Sequence, residues 1–269
     1  MRTKTTILSA VALAAGLLSA SAQVYSANVV GYYNIVVPHG GRHFLANQLT
    51  NSGDISIDLA NGAVSDPNFI LNTSYNLWNN GPKNYTTYYY FTESDAVNGQ
   101  GFTAGQGNGY YDAGGTVHHV NFAQGLGAFM INPAATNITL TLVGQVVQGT
   151  YSTSVGPGYS ALSLTPPVGT NISTFANFPG FSDPNGILND VQNVWDDSIQ
   201  NYRSTYYYTE SDAVNGQGYA AGQGNGWYDA GGTRQDLINP VDNPLVGGAF
   251  FMVRPSTGTS NWVYSFTVQ

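Results

Sequence analysis

A period of two runs through much of the chain. Ile138-Thr139-Leu140-Thr141-Leu142 puts every second residue on one apolar face, and Trp262-Val263-Tyr264-Ser265-Phe266 does so again near the C-terminus. Successive side chains of a strand point to opposite faces, so this spacing predicts half-buried strands. Asn28 to Val37 is β-branched and aromatic and stops at Pro38-His39-Gly40-Gly41. Tyr85 to Phe91 and Tyr202 to Tyr208 are aromatic runs of strand length. Gly, Asn and Pro recur at short intervals and leave no room for a long helical stripe; only short helical turns are expected, Ile187 to Val194 among them. The pattern predicts an all-β fold, built as antiparallel β-sandwich or partly open barrel units with long Gly-rich hairpin loops. An outer-membrane barrel would need many tightly turned alternating strands, which the Gly-rich stretches interrupt.

The strand pattern occurs twice. Thr92 to Thr116 and Thr209 to Thr233 agree at 22 of 25 positions, with a constant offset of 117. Asp66-Pro67-Asn68 matches Asp183-Pro184-Asn185, Trp78 matches Trp195, and Gly127-Ala128-Phe129 matches Gly248-Ala249-Phe250. A repeat of that length is a duplicated domain rather than a solenoid. The expected organisation is a signal peptide at residues 1–22, a first β unit at 23–143 and a second at 144–269, with the boundary near 142–148. No Pro/Ser-rich linker intervenes, so the units are expected to abut or share an edge.

Composition narrows the classes of function. Charged residues make up 8% of the chain, against roughly 25% in an average soluble domain. There is no Cys, which excludes disulfides, thiolate zinc sites and iron–sulfur centres. A net charge of −8 offers no basic stripe for nucleic acid. Arg2 and Lys4, the apolar stretch Ile7 to Leu18 and the small residues Ala20-Ser21-Ala22 have the layout of a secretory signal peptide. Its removal leaves 5 basic against 15 acidic residues, a charge of −10. No later apolar run is long enough for a transmembrane helix. The expected location is outside the cytoplasm: extracellular, at the cell surface or in a periplasm.

A Val-Gly-Tyr-x-Asn strand close behind the signal peptide, the segment Phe44 to Leu49, a Trp-centred strand and the strand Gly125 to Pro133 follow in order. This arrangement resembles exported β-repeat proteins found in Verrucomicrobia and related bacteria, whose units run from a Gly-Phe-Ser-Leu-like strand to a Gly-x-Gly-Phe-Phe-Val-like strand. The resemblance covers both units. The second departs from it at Tyr159 to Leu164 and at Val246-Gly247-Gly248. It implies no activity, cofactor or catalytic residue.

The near-identical Gly-rich segments are the candidate site, and three readings of them stay open. In the first, the glycines make long turns, and Asp and Asn side chains bond neighbouring amides. In the second, Glu93, Asp95, Asn98 and Asp112, with Glu210, Asp212, Asn215 and Asp229, supply oxygens to calcium, although the spacing misses the EF-hand register. In the third, Tyr110, Tyr111, Trp227 and Tyr228 form a contact surface for a glycan or a protein neighbour. Trp78 and Trp195 are expected in the core instead.

Signs of an enzyme are thin. Glu93 with Asp95 or Asp112 could form a glycosidase pair, but closely spaced carboxylates commonly mark a solvated loop. No nucleophile elbow, phosphate loop or zinc-protease motif occurs. All four histidines (His39, His43, His118, His119) lie in the first unit, so chemistry common to both units cannot depend on them. The Asn-x-Ser/Thr matches at Asn72, Asn84, Asn137 and Asn171 are chance in an Asn- and Thr-rich chain. The expected role is that of an exported, non-enzymatic structural or self-associating protein. A glycan-binding module is the alternative, and a glycoside hydrolase comes third.

Overall fold

Strands carry the chain almost throughout. The computed structural model describes residues 29–50, 62–66, 71–97, 105–118, 123–168, 180–181, 189–214, 222–235, 246–255 and 257–268. Residues 1–22, expected to be a signal peptide, lie outside them, as do Asn98, Asn215 and His119. In chain order the first elements are β1 (Val29–Val37), β2 (Gly41–Ala46), β3 (Ser74–Asn79), β4 (Asn84–Phe91), the short helix α1 (Glu93–Val97), β5 (Gly109–Tyr111), β6 (Val117–His118), β7 (Gly127–Asn132) and β8 (Ile138–Val146). There follow β9 (Gly149–Val155), β10 (Gly158–Leu162), β11 (Val191–Asp196), β12 (Asn201–Tyr208), the second short helix α2 (Glu210–Val214), β13 (Gly226–Tyr228), β14 (Phe250–Arg254) and β15 (Ser260–Phe266).

These strands form two broad antiparallel sheets and two ribbons, none closed into a barrel. One sheet has the order β2-β7-β3-β4-β5-β6, the other β10-β14-β11-β12-β13. The ribbons are β1 with β8 and β9 with β15. Strand β8 runs through the expected cut after residue 143. It pairs with β1 along its full length, from Val29 opposite Val146 to Val37 opposite Ile138.

Alternation sorts the side chains into three cores. Tyr33, Ile35 and Val37 of β1, with Ile138, Leu140 and Leu142 of β8, point down onto Leu45, Tyr75, Ala128 and Met130 of the larger sheet. Trp262 and Tyr264 of β15 cover Leu162, Val194, Phe250 and Met252 in the same manner. The intervening positions Phe44, Trp78 and Phe129 point the other way, and there meet Ala161, Ala249 and Phe251. Central strands β7 and β14 are therefore buried on both faces, and the layers stack as ribbon, sheet, sheet, ribbon.

One expected element is corrected. Val191–Asp196 is not a helical turn but a strand with a neighbour on each side, β12 and β14. A central position of this kind satisfies both rows of backbone groups, which outweighs the weak helical signal of its Asn, Gln and Asp residues. Ile187 and Leu188 lie outside the described residues.

The halves also share an edge. Ala46 N–H donates to the Gly247 carbonyl at 2.7 Å, and Ala249 N–H to the Phe44 carbonyl at 2.9 Å. Gly247 has φ +80, and a Cβ there would lie 2.7 Å from Ile35 Cγ1. Only glycine can make this approach without strain.

Candidate functional site

The two Gly-rich turns are hydrogen-bonded alike. Thr92 stands before α1, and Asp95 accepts from its hydroxyl at 2.5 Å and from the Ser65 hydroxyl. Before α2, the N–H and hydroxyl of Thr209 both donate to Asp212, at 2.8 and 2.6 Å. The glutamate that opens each helix reaches back across the loop. Glu93 accepts the N–H groups of Gly105 and Gly107, the latter at 2.6 Å, and Glu210 accepts those of Gly222 and Gly224, the latter at 2.7 Å. Gly105 and Gly107 have φ of +89 and +82, which turns both amides toward one carboxylate. The glutamate N–H groups donate to Asn108 and Asn225, at 2.7 and 2.8 Å.

A second clasp closes each segment. Asp112 Oδ1 accepts from Gly114 and Thr116 N–H at 2.8 and 3.0 Å, and Asp229 Oδ1 accepts from Gly231 and Thr233 at 2.9 Å each. The other oxygen of Asp112 lies 2.6 Å from His118 Nε2, and that of Asp229 lies 2.6 Å from Gln235 Nε2. A glutamine amide, which does not titrate, makes the contact that histidine makes in the first half.

This geometry fits the turn-forming reading. Gly105 and Gly107 amides hold Glu93 below the usual carboxylate range, and Gly222 and Gly224 do so for Glu210. The Ser65 and Thr92 hydroxyls lower Asp95, and the Thr116 amide, followed by His118, lowers Asp112. A glycosidase acid needs the opposite shift, toward a carboxyl that holds its proton near neutrality. For the calcium reading, every described carboxylate of the eight candidates already accepts bonds from N–H or O–H donors, which occupy lone pairs that a cation would use. Among the described residues no cluster of three or more acidic or histidine side chains converges as a metal site would require.

The expected aromatic contact surface is corrected. Tyr110, Tyr111, Trp227 and Tyr228 are all buried. Tyr110 packs edge-on to Tyr75 at 6.2 Å, and Trp227 to Tyr207 at 5.4 Å. Tyr110 and Trp227 enter the cores from one face of β5 and β13, while Tyr111 packs on Phe91 and Tyr228 on Tyr208 on the other, so none of the four offers a free face to a sugar. Trp78 is in the core as expected, and Trp195 is half-buried against Phe129.

Two features escaped the sequence reading. A cleft of about 570 Å³ opens where the halves meet, lined by Gly41, Arg42, Asn132, Trp195, Gln200 and Asn201. Its groups are engaged with one another: the Arg42 guanidinium lies 5.9 Å from the Trp195 ring centre, Trp195 Nε1 donates to the Arg42 carbonyl at 3.0 Å, and Gln200 bonds the Arg42 backbone. The second feature is the outer face of the β1/β8 ribbon. Tyr32 is 75% exposed, Val30 68%, Val143 53% and Val36 49%, with Tyr32 directly opposite Val143. The signal for it was present, since β1 is apolar at outward as well as inward positions.

Comparison with family models, with curated proteins and with solved structures finds no match to this chain. Among the described residues no helix is long and apolar enough to cross a membrane.

Proposed function

We propose that this chain is an exported, non-enzymatic structural protein that associates with copies of itself, residues 1–22 serving as the signal peptide. The observation that carries the reading is the uncharged outer face of the β1/β8 ribbon. Val30, Tyr32, Val36 and Val143 stand there beside Asn34, Thr139 and Thr141, so the same face of a second copy meets it without like-charge repulsion. The low charge density of the whole chain acts in the same direction. The hydrogen-bonded carboxylates of the Gly-rich turns support a scaffold role over a catalytic one.

Sedimentation velocity of the secreted chain over a range of concentrations tests this. Association is expected in the parent and is expected to be lost in Tyr32→Lys. That side chain is exposed, so near-ultraviolet circular dichroism should remain native. A parent chain that stays monomeric at every concentration contradicts the proposal, as does a Tyr32→Lys variant that associates as the parent does.

A further inference from the structure

One aromatic contact between the two halves is made twice. Trp78 lies edge-on to Phe251 with ring centres 5.0 Å apart at 82°, and Trp195 lies edge-on to Phe129 at 5.0 Å and 83°. Trp78 and Trp195 are related by the 117-residue offset. Phe129 and Phe251 occupy the same register, opposite Asn76 in β3 and opposite Asn193 in β11, which shifts the expected match of Phe129 with Phe250 by one residue and sets Asn132 against Arg254. Tyr85 backs the first Trp at 4.9 Å and Tyr202 the second at 5.1 Å. An interface in which residue i of one unit meets j of the other while j meets i is isologous, the arrangement of a twofold homodimer.

The sheet edges are covered reciprocally as well. The Asn80 amide, at the tip of the β3–β4 hairpin, bonds both the N–H and the carbonyl of Ala161 in β10, at 2.9 and 3.2 Å. Gln200, at the tip of the β11–β12 hairpin, bonds both the N–H and the carbonyl of Arg42 in β2, at 2.8 and 3.2 Å. Each amide stands in for a neighbouring strand on an edge that would otherwise be unpaired. Only Val147 and Gln148 join β8 of the first half to β9 of the second.

We infer that the two halves are exchangeable: the first half of one chain docks on the second half of another through these same residues, and the partner is a second copy of this chain. Among the described residues, none of these contacts distinguishes a chain's own second half from that of a neighbour. The covalent connector alone favours the closed form, by raising the local concentration of the attached half. Shortening such a connector favours exchange, and lengthening it favours closure. The inference deepens the self-association reading and rests on it, but it uses a different surface from the ribbon face.

The two are separated by working in full-length protein carrying Tyr32→Lys, which silences the ribbon face. Deletion of Val147 and Gln148 in that background is expected to convert monomer to dimer by light scattering, while insertion there of a Gly/Ser linker of about ten residues keeps it monomeric. A natively folded deletion variant that remains monomeric overturns exchange and leaves the ribbon proposal standing. If the deletion variant does not regain native near-ultraviolet dichroism, refolding from urea at high protein concentration decides. Dimers from the Tyr32→Lys chain but not from its linker variant support exchange; equal yields from both, or none from either, overturn it.

Discussion

In their described residues the Gly-rich segments 92–116 and 209–233 repeat the glutamate and aspartate clasps position for position, whereas the ribbons over the two sheets differ in how much apolar surface they expose. Outward positions of β1 and β8 are Val30, Tyr32, Asn34, Val36, Thr139, Thr141, Val143 and Gln145, four of the eight apolar or aromatic; those of β9 and β15 are Thr150, Ser152, Ser154, Asn261, Val263 and Ser265, with one apolar residue. The contrast follows from what each region must satisfy. In the turns, Glu93, Asp95, Asp112 and their counterparts each hold specific backbone or side-chain donors, so these side chains are fixed by their partners. On a ribbon only the inward face is fixed by packing, and the outward face can change without loss of the fold. The halves also diverge at one buried site. Thr73 Oγ1 accepts the Val64 N–H at 2.8 Å, and the equivalent Asp190 accepts the Phe181 N–H at 3.0 Å. Asp190 then needs a counter-ion, and buried Arg254 supplies it at 2.7 Å. Burial pushes the Asp190 carboxyl up, against the pull of that guanidinium.

The largest effect is expected at this divergent site. Asp190→Ala leaves the Arg254 charge buried and alone, and should lower stability in urea unfolding by about 3–5 kcal/mol. Thr73→Val removes a neutral acceptor and should lower it by about 1–3 kcal/mol. Installing the first half's solution through Asp190→Thr with Arg254→Asn should recover most of the larger loss. If the single Asp190→Ala change is no worse than Thr73→Val, the two sites are not equivalent in the way described.

The repeated turns predict paired effects. Glu93→Gln and Glu210→Gln each replace one accepting oxygen with a donor facing a glycine amide, so both should lower the melting temperature, and by similar amounts. Acid tests the same clasps together. Glu93, Asp95, Asp112 and Glu210 are held below their ordinary range by donors, and Asp196 is lowered to about 2, chiefly by the Ser198 hydroxyl and then by Arg203. A depressed folded-state pKa contributes stability that is complete above the ordinary carboxylate range and is lost as pH falls through the folded value. Melting temperature should therefore drop as pH falls from about 4 toward 2, by less in the Glu93→Gln, Glu210→Gln double variant. An unchanged acid slope in that variant would remove the clasps from the account.

The smallest effect is expected at His118→Gln, which installs the second half's residue and should alter stability by less than about 0.5 kcal/mol. A large loss would mean that the histidine does something its counterpart Gln235 does not.

Strands whose apolar residues alternate were legible from the sequence, as at Ile138 to Leu142 and Trp262 to Phe266. Val191–Asp196 was not, because a central strand with Gln, Asn and Asp at its turns of phase carries little periodic signal of its own; its Trp, matched to Trp78 by the repeat, did carry one. The Gly-rich segments were found through their identity, but their chemistry was not visible. The contact from Glu93 to Gly105 and Gly107 spans a loop, and spacing alone cannot distinguish a carboxylate that binds amides from one that binds a cation. Tyr110, Tyr111, Trp227 and Tyr228 misled for a related reason: rings with a polar tip suit a surface or a core equally, and only the ribbons and sheets around them decide. The isologous seam needs two faces brought together by tertiary packing, which no local pattern encodes.

The account depends most on the two halves meeting through the same contact from both sides. Double-mutant cycles on Trp78 with Phe251 and on Trp195 with Phe129, read by urea unfolding, measure this directly. Both couplings should fall in the range of about 0.5–1.5 kcal/mol and agree with each other within error. A clear coupling in one pair with none in the other would contradict it.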